Sequence, residues 1–193
     1  MKNTKKWYDY LWIASSLYLV LGFFNIMFGW LGMLCFIIPL CIAIFGGSKH
    51  YCNRYCGRGQ LFNVLGNKLK LSRKHDIPAF IKSPWFRYGF LTFFMTMFII
   101  MLYNTYTVFI GSSGLRQVVK LFWTFKVPWK WAYHHEGFPL WTVQFAYGFY
   151  SMMLTSTLLG IITMVLYKPR SWCVYCPMGT MTQGICKLKG SHK

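Results

Sequence analysis

Three long stretches without a charged residue constrain this chain more than any other feature. They cover residues 10–48, 88–115 and 137–167. A spanning helix needs about 20 apolar residues, so the first stretch can hold two helices and the others one each. The chain is 55% hydrophobic with three acidic residues, which is too apolar for a soluble domain. We therefore predict an all-α polytopic membrane protein with four transmembrane helices, at about 9–28, 31–47, 87–110 and 140–167.

The first stretch must reverse direction within "NIMFGWLG" (25–32). Gly29 and Gly32 allow a tight turn, and Trp30 suits the membrane interface. The alternative is one continuous tilted helix, but about 37 residues at 1.5 Å each would overshoot a hydrocarbon core of roughly 30 Å. The sequence therefore favours two helical hairpins, each followed by a cysteine motif.

Basic residues predict the orientation. Seventeen lie in the N-terminal tail, the 48–87 loop and the segment after Tyr167, against four between the third and fourth predicted spans. The positive-inside rule places both termini and the 48–87 loop in the cytoplasm. The net charge of +18 reflects this bias, so we expect lipid head groups of the bilayer or an acidic soluble partner, and no nucleic acid.

The segment between the third and fourth spans has a helical pattern. Leu115, Val118, Val119 and Phe122 would share one face of a helix, with basic and polar residues opposite. This pattern predicts an amphipathic interfacial helix on the outer side, at about 115–126.

Seven cysteines form two groups. Cys35 and Cys41 lie inside the second span, where a free cysteine packs as a small hydrophobe, and Cys186 is expected not to be a ligand. The other four follow spans at the cytoplasmic side, where thiols stay reduced and clustered cysteines usually bind metal or do redox chemistry. These four are Cys52, Cys56, Cys173 and Cys176.

Four thiolates suffice for one tetrahedral zinc or one 4Fe–4S cluster. Pro177 directly follows Cys176, and a Cys-Pro end is typical of bacterial ferredoxin ligand runs. Arg54 and Arg58 lie on either side of Cys56, and Gly57 lets the backbone turn its amides inward. These features favour one 4Fe–4S cluster. A zinc site and a metal-free site stay open as alternatives, because a four-thiolate zinc site is anionic too.

The motifs "CNRYCGRGQLF" and "WCVYCPMGT" resemble the paired cysteine motifs of membrane-bound 4Fe–4S binding proteins. This polyferredoxin-like family includes the nitrous-oxide-reductase regulator, the quinol-oxidising subunit of periplasmic nitrate reductase and the cytochrome-oxidase accessory protein. The resemblance implies an electron-transfer component in the inner (plasma) membrane of a prokaryote. The chain is similar to a minimal member without a soluble ferredoxin module. It departs from the family's Cys-x-x-x-Cys-Pro form at Gly57 and in the shorter second pair.

Two functions follow as expectations. The first is a redox component, rather than a stand-alone enzyme, that relays electrons between an acidic ferredoxin or flavodoxin-like donor and a membrane quinone or partner redox protein. The second is a non-enzymatic protein for metal handling, assembly or redox sensing that uses the same cysteines. The lack of a carboxylate within the spans disfavours a proton pump or ion carrier.

Three histidines lie close to these features. His134 and His135 are expected to be solvated in the outer loop, with a quinone or metal contact as the alternative. His50 precedes the first cysteine pair and is equally suited to bonding a cluster sulfur or facing lipid head groups.

Overall fold

The computed structural model describes residues 10–46, 55–73, 75–122, 124–129 and 137–190. The chain is 75% helical with 2% strand, which confirms the predicted helical class.

Among the described residues, three helices are long and apolar enough to cross a membrane. The first runs over Ile26–Gly46, as a short 3-10 helix (Ile26–Trp30) that continues into α2 (Leu31–Gly46). The others are α5 (Pro84–Phe109) and α6 (Leu140–Leu166). Their positions agree with three of the predicted spans to within a few residues.

The helix α1 (Leu11–Phe24) is apolar but short. Its 14 residues reach about 21 Å, less than a hydrocarbon core of about 30 Å. It ends at Asn25, where the backbone turns extended and the side chain accepts a hydrogen bond from the Met27 N–H at 3.0 Å. The break thus falls inside the predicted reversal, while a fourth span stays a prediction.

Four shorter helices lie near the cysteine motifs and the start of α5. They are α3 (Gly57–Asn63), which continues as a π-helical turn over Val64–Lys68, α4 (Ala79–Lys82), α7 (Trp172–Tyr175) and α8 (Pro177–Gly190).

α6 is the central helix. More than half of the residues in its most apolar segment are buried, whereas only about a tenth are buried in the corresponding segment of α5. Small residues of the bundle face large ones. A Cβ on Gly160 would lie 2.2 Å from the Phe62 ring of α3, and a Cβ on Gly22 would lie 2.1 Å from the Tyr150 ring. Close packing of this kind stabilises helix contacts in lipid, where the hydrophobic effect between spans is absent.

The expected amphipathic helix at 115–126 is wrong. The described residues of that segment are not helical and form a small antiparallel hairpin, β1 (Lys120–Leu121) and β2 (Phe125–Lys126), with Lys120 opposite Lys126. The reason is tertiary: the N–H groups of Arg116 and Lys120 donate to Gln144 Oε1 at 2.9 Å and to Ser151 Oγ at 2.8 Å. The side chains of α6 therefore provide the hydrogen bonds that a local helix would have made.

Candidate metal centre

Two cysteines each stand directly before a helix. Cys56 precedes α3, and its Sγ accepts a hydrogen bond from the Gly59 N–H at 3.4 Å. Cys176 precedes α8, and its thiol accepts from the N–H groups of Met178 and Gly179. The first N–H groups of a helix have no partner within it, so both helices direct free donors at a sulfur. Such donors stabilise a thiolate.

The cysteines from the two distant motifs line one cavity. Cys56, Cys173 and Cys176 all border a cavity of about 110 Å³. A Cβ on Gly59 would lie 3.7 Å from both the Cys56 and the Cys173 sulfur, so the two sulfurs approach the same point. The fold therefore joins motifs that are far apart in the sequence.

This cavity lies deeper than the sequence predicted. Arg58, two residues after Cys56, donates from its guanidinium to Ser156 Oγ and to Met153 Sδ. Ser156 stands ten residues before the end of α6 at Leu166, which is about 15 Å along the helix. The cavity therefore extends into the bundle, while Cys173 is exposed and Cys56 and Cys176 are partly buried.

Arg58 is the cation of the cavity. Its guanidinium is held by a hydroxyl and a thioether, and within the described ranges no carboxylate forms a salt bridge with it. A partly buried cation without an anion is costly, so this position favours negative charge nearby.

Burial opposes ionisation of the Cys176 thiol in the second motif. It raises the pKa of the Cys176 thiol, while the Gly179 N–H, Arg58 and the Met178 N–H oppose that shift. The thiolate form is thus the one that these donors and this cation stabilise, and bound metal would favour the same form.

Most of the predicted site residues meet here. Cys52 and Arg54 lie outside the described residues, as do His50, His134 and His135. The predicted residues that line the cavity are Cys56, Gly57, Arg58, Cys173, Cys176 and Pro177.

Sequence reasoning missed one cysteine of the cavity wall. Cys35 of α2 lines it together with Phe36 and Pro39, although we assigned it to packing. These residues share a helix face by their spacing, but an apolar span gives no signal for which face meets a cavity. Cys41 and Cys186 do not line it.

The described sulfurs do not form a site for a single ion. Among the residues that the structure describes, no group of three or more His, Cys, Asp or Glu is placed to hold a metal ion. The cavity nonetheless has four thiols (Cys35 as well as Cys56, Cys173 and Cys176), backbone N–H donors and a cation. This donor set fits an anionic group bound by thiolates.

Comparisons with protein-family models, with curated proteins and with solved structures give no significant match for this chain.

Proposed function

We propose that this chain is a membrane electron-transfer protein that holds one 4Fe–4S cluster between its two cysteine motifs. The ligands would be Cys52, Cys56, Cys173 and Cys176. The observation that carries the proposal is the cavity that Cys56 shares with Cys173 and Cys176, with Arg58 in its wall. When bound, such a cluster accepts and releases one electron at a time.

The sequence after the second cysteine pair supports a cluster over a single ion. Pro177 directly follows Cys176, and a Cys-Pro end is typical of the ligand runs of bacterial ferredoxins. In a 4Fe–4S cluster each thiolate would bind a different iron, whereas four thiolates around zinc would share one ion. Zinc is the cofactor of the alternative function, a metal-handling, assembly or sensing protein.

The surroundings of the cysteines perform three tasks. The N–H groups at the starts of α3 and α8 donate to sulfur and stabilise its negative charge. Arg58 adds a positive charge, which offsets the extra negative charge of a reduced centre. Apolar side chains such as Phe94, Phe149 and Trp172 line much of the rest of the cavity.

The basic side of the chain suits an acidic electron donor. Lys68, Arg73 and Lys82 are exposed near α3 and α4, in the loop that the positive-inside rule places in the cytoplasm. An acidic ferredoxin or flavodoxin-like protein would be steered to these charges. The acceptor would be a membrane quinone or a partner redox protein.

Purification without oxygen tests the proposed function. We expect a broad absorption shoulder in the blue that bleaches with dithionite, and a paramagnetic resonance signal from the reduced protein. A colourless protein that contains zinc would instead support the alternative function.

The topology has its own test. Both termini and the 48–87 loop should face the cytoplasm, so reporter fusions after Gly114 and at the C-terminus should give opposite signals. Equal signals would refute the four-span arrangement.

A further inference from the structure

The hairpin of β1 and β2 reaches deep along α6. Arg116 is bonded to Gln144, four residues after the start of α6, and Lys120 is bonded to Ser151, eleven residues after it. At 1.5 Å per residue, Lys120 lies about 16 Å along a helix that is about 40 Å long. The segment therefore re-enters the region of the spans instead of lying on its surface.

Non-helical backbone at this depth requires polar partners. Ser151 Oγ accepts from the Lys120 N–H and donates back to the Lys120 carbonyl. The Val127 N–H closes the hairpin by donating to the Val119 carbonyl at 3.0 Å. Such backbone is tolerated within a membrane only where protein buries it or where it lines a cavity.

A cavity of about 750 Å³ lies between the hairpin, α5 and α6. This volume is within the usual range for a site that holds a small ligand. One wall is apolar and consists of Met97, Ile100, Met101 and Met152. Met152 also borders the cysteine cavity, so one side chain is common to the two walls.

The opposite wall is polar and positively charged. Arg116, Lys120 and Lys126 line it, together with the amides Asn104 and Gln144. Gln144 uses its carbonyl oxygen to accept from Arg116, which leaves its NH₂ group as a donor. No acidic residue lines this cavity among the described residues, and none pairs with its three cations there.

We propose that this cavity binds an anionic phospholipid. Charged side chains at membrane depth are costly and mark binding sites when they face a cavity. The phosphate would lie among the three cations, which can extend their charged ends towards the interface. An acyl chain would pack on the methionine-rich wall. A free anion would make no favourable contact with that wall, so the wall favours a lipid.

Native mass spectrometry of the full-length protein measures this binding. The protein is released from phosphatidylcholine nanodiscs that contain phosphatidylglycerol. We expect retained phosphatidylglycerol in clear preference to phosphatidylcholine. A triple variant with Arg116→Gln, Lys120→Gln and Lys126→Gln should lose about 100-fold in that preference, since each cation near a lipid surface contributes about fivefold.

Two further variants keep the test decisive. A matched triple variant, with Lys70→Gln, Arg170→Gln and Lys187→Gln, removes the same charge from exposed positions outside this cavity and should keep the preference. Ile100→Trp fills the apolar side of the cavity and leaves every cation in place. It should weaken the binding of phosphatidylglycerol, and it tests the proposal even if the charge variant fails to fold.

Three results would overturn the proposal. Equal retention of both lipids would exclude a selective site. Displacement of phosphatidylglycerol by inorganic phosphate, with no effect of Ile100→Trp, would show a site for a free anion. Retention of an uncharged quinone, unaffected by the loss of the cations, would assign the cavity to a neutral ligand. None of these results depends on the cluster.

Discussion

The two cysteine motifs use the same backbone arrangement but differ in the side chains around it. In each, a cysteine directly precedes a helix, and the third residue after it is a glycine whose N–H donates to the sulfur. The backbone N–H of the fourth residue, Gln60 or Thr180, bonds the cysteine carbonyl at 3.0 or 2.9 Å. The similarity shows that a helix start, rather than a fixed sequence, presents each sulfur to the cavity.

The differences come from what each motif packs against. The first motif touches α1, where a Cβ on Gly57 would lie 2.4 Å from Ser15 Oγ and 2.8 Å from the Leu11 carbonyl oxygen. This contact leaves no room for the side chain of a proline at position 57. At the equivalent place Pro177 begins α8, a position that favours proline because its fixed φ suits the first turn.

The anchoring residues differ as well. The second motif is fixed to α5 by aromatic contacts, with the Phe90 ring 5.7 Å from Trp172 and 5.2 Å from Tyr175 between centroids. The first motif is fixed to α6 by the hydrogen bonds of Arg58. A shared cluster would therefore link α1 and α6 to α5 at one point.

The largest effect should come from removing one ligand. Each single substitution leaves only three thiolates for a site that needs four, so Cys56→Ser and Cys176→Ser should each lose most of the iron, as should serine at Cys52 or Cys173. Iron and sulfide are measured on protein purified without oxygen.

Serine at Cys41 or at Cys186 is the matched control and should leave the iron content near normal. We expect the same of Cys35→Ser, although Cys35 borders the cavity. If Cys56→Ser kept its iron while Cys186→Ser lost it, the two motifs would not share a site.

The next effect concerns the tight contact of the first motif. Gly57→Ala should lower the free energy of unfolding by about 1–3 kcal/mol, because its methyl group meets the backbone of α1. Gly184→Ala in α8 is the control, since nothing lies within 4 Å of its Cβ position. In Gly184→Ala the free energy of unfolding should rise by about 0.5–1 kcal/mol, because alanine is more favourable than glycine inside a helix. Thermal unfolding of both in the same detergent measures the difference, and equal losses would contradict the packing argument.

The smallest effect concerns charge. Arg58→Gln should lower the reduction potential by on the order of 50 mV, because the cation favours the more negative reduced state. Met178→Gln, at the equivalent place in the second motif, removes no charge and should change the potential much less. A redox titration compares the two variants. An unchanged potential in Arg58→Gln would mean that the guanidinium does not act on the centre.

Three of the four predicted spans, and the approach of Cys56 to Cys173 and Cys176, could be predicted from the sequence, since charge-free runs and cysteines after spans are strong signals. The hairpin at 115–126 could not, because its backbone amides are satisfied by Gln144 and Ser151, which are distant in the sequence. The depth of the cavity beside the cysteines was missed for a related reason. Glycines such as Gly160 let α3 insert beside α6, and a hydropathy pattern does not show that contact.

Iron and sulfide counts per chain show whether the two motifs share a single cluster. A shared cluster gives about four irons and about four sulfides per full-length chain purified without oxygen. About eight of each would mean that each motif has its own cluster. One zinc per chain, with no sulfide, would contradict the electron-transfer function itself.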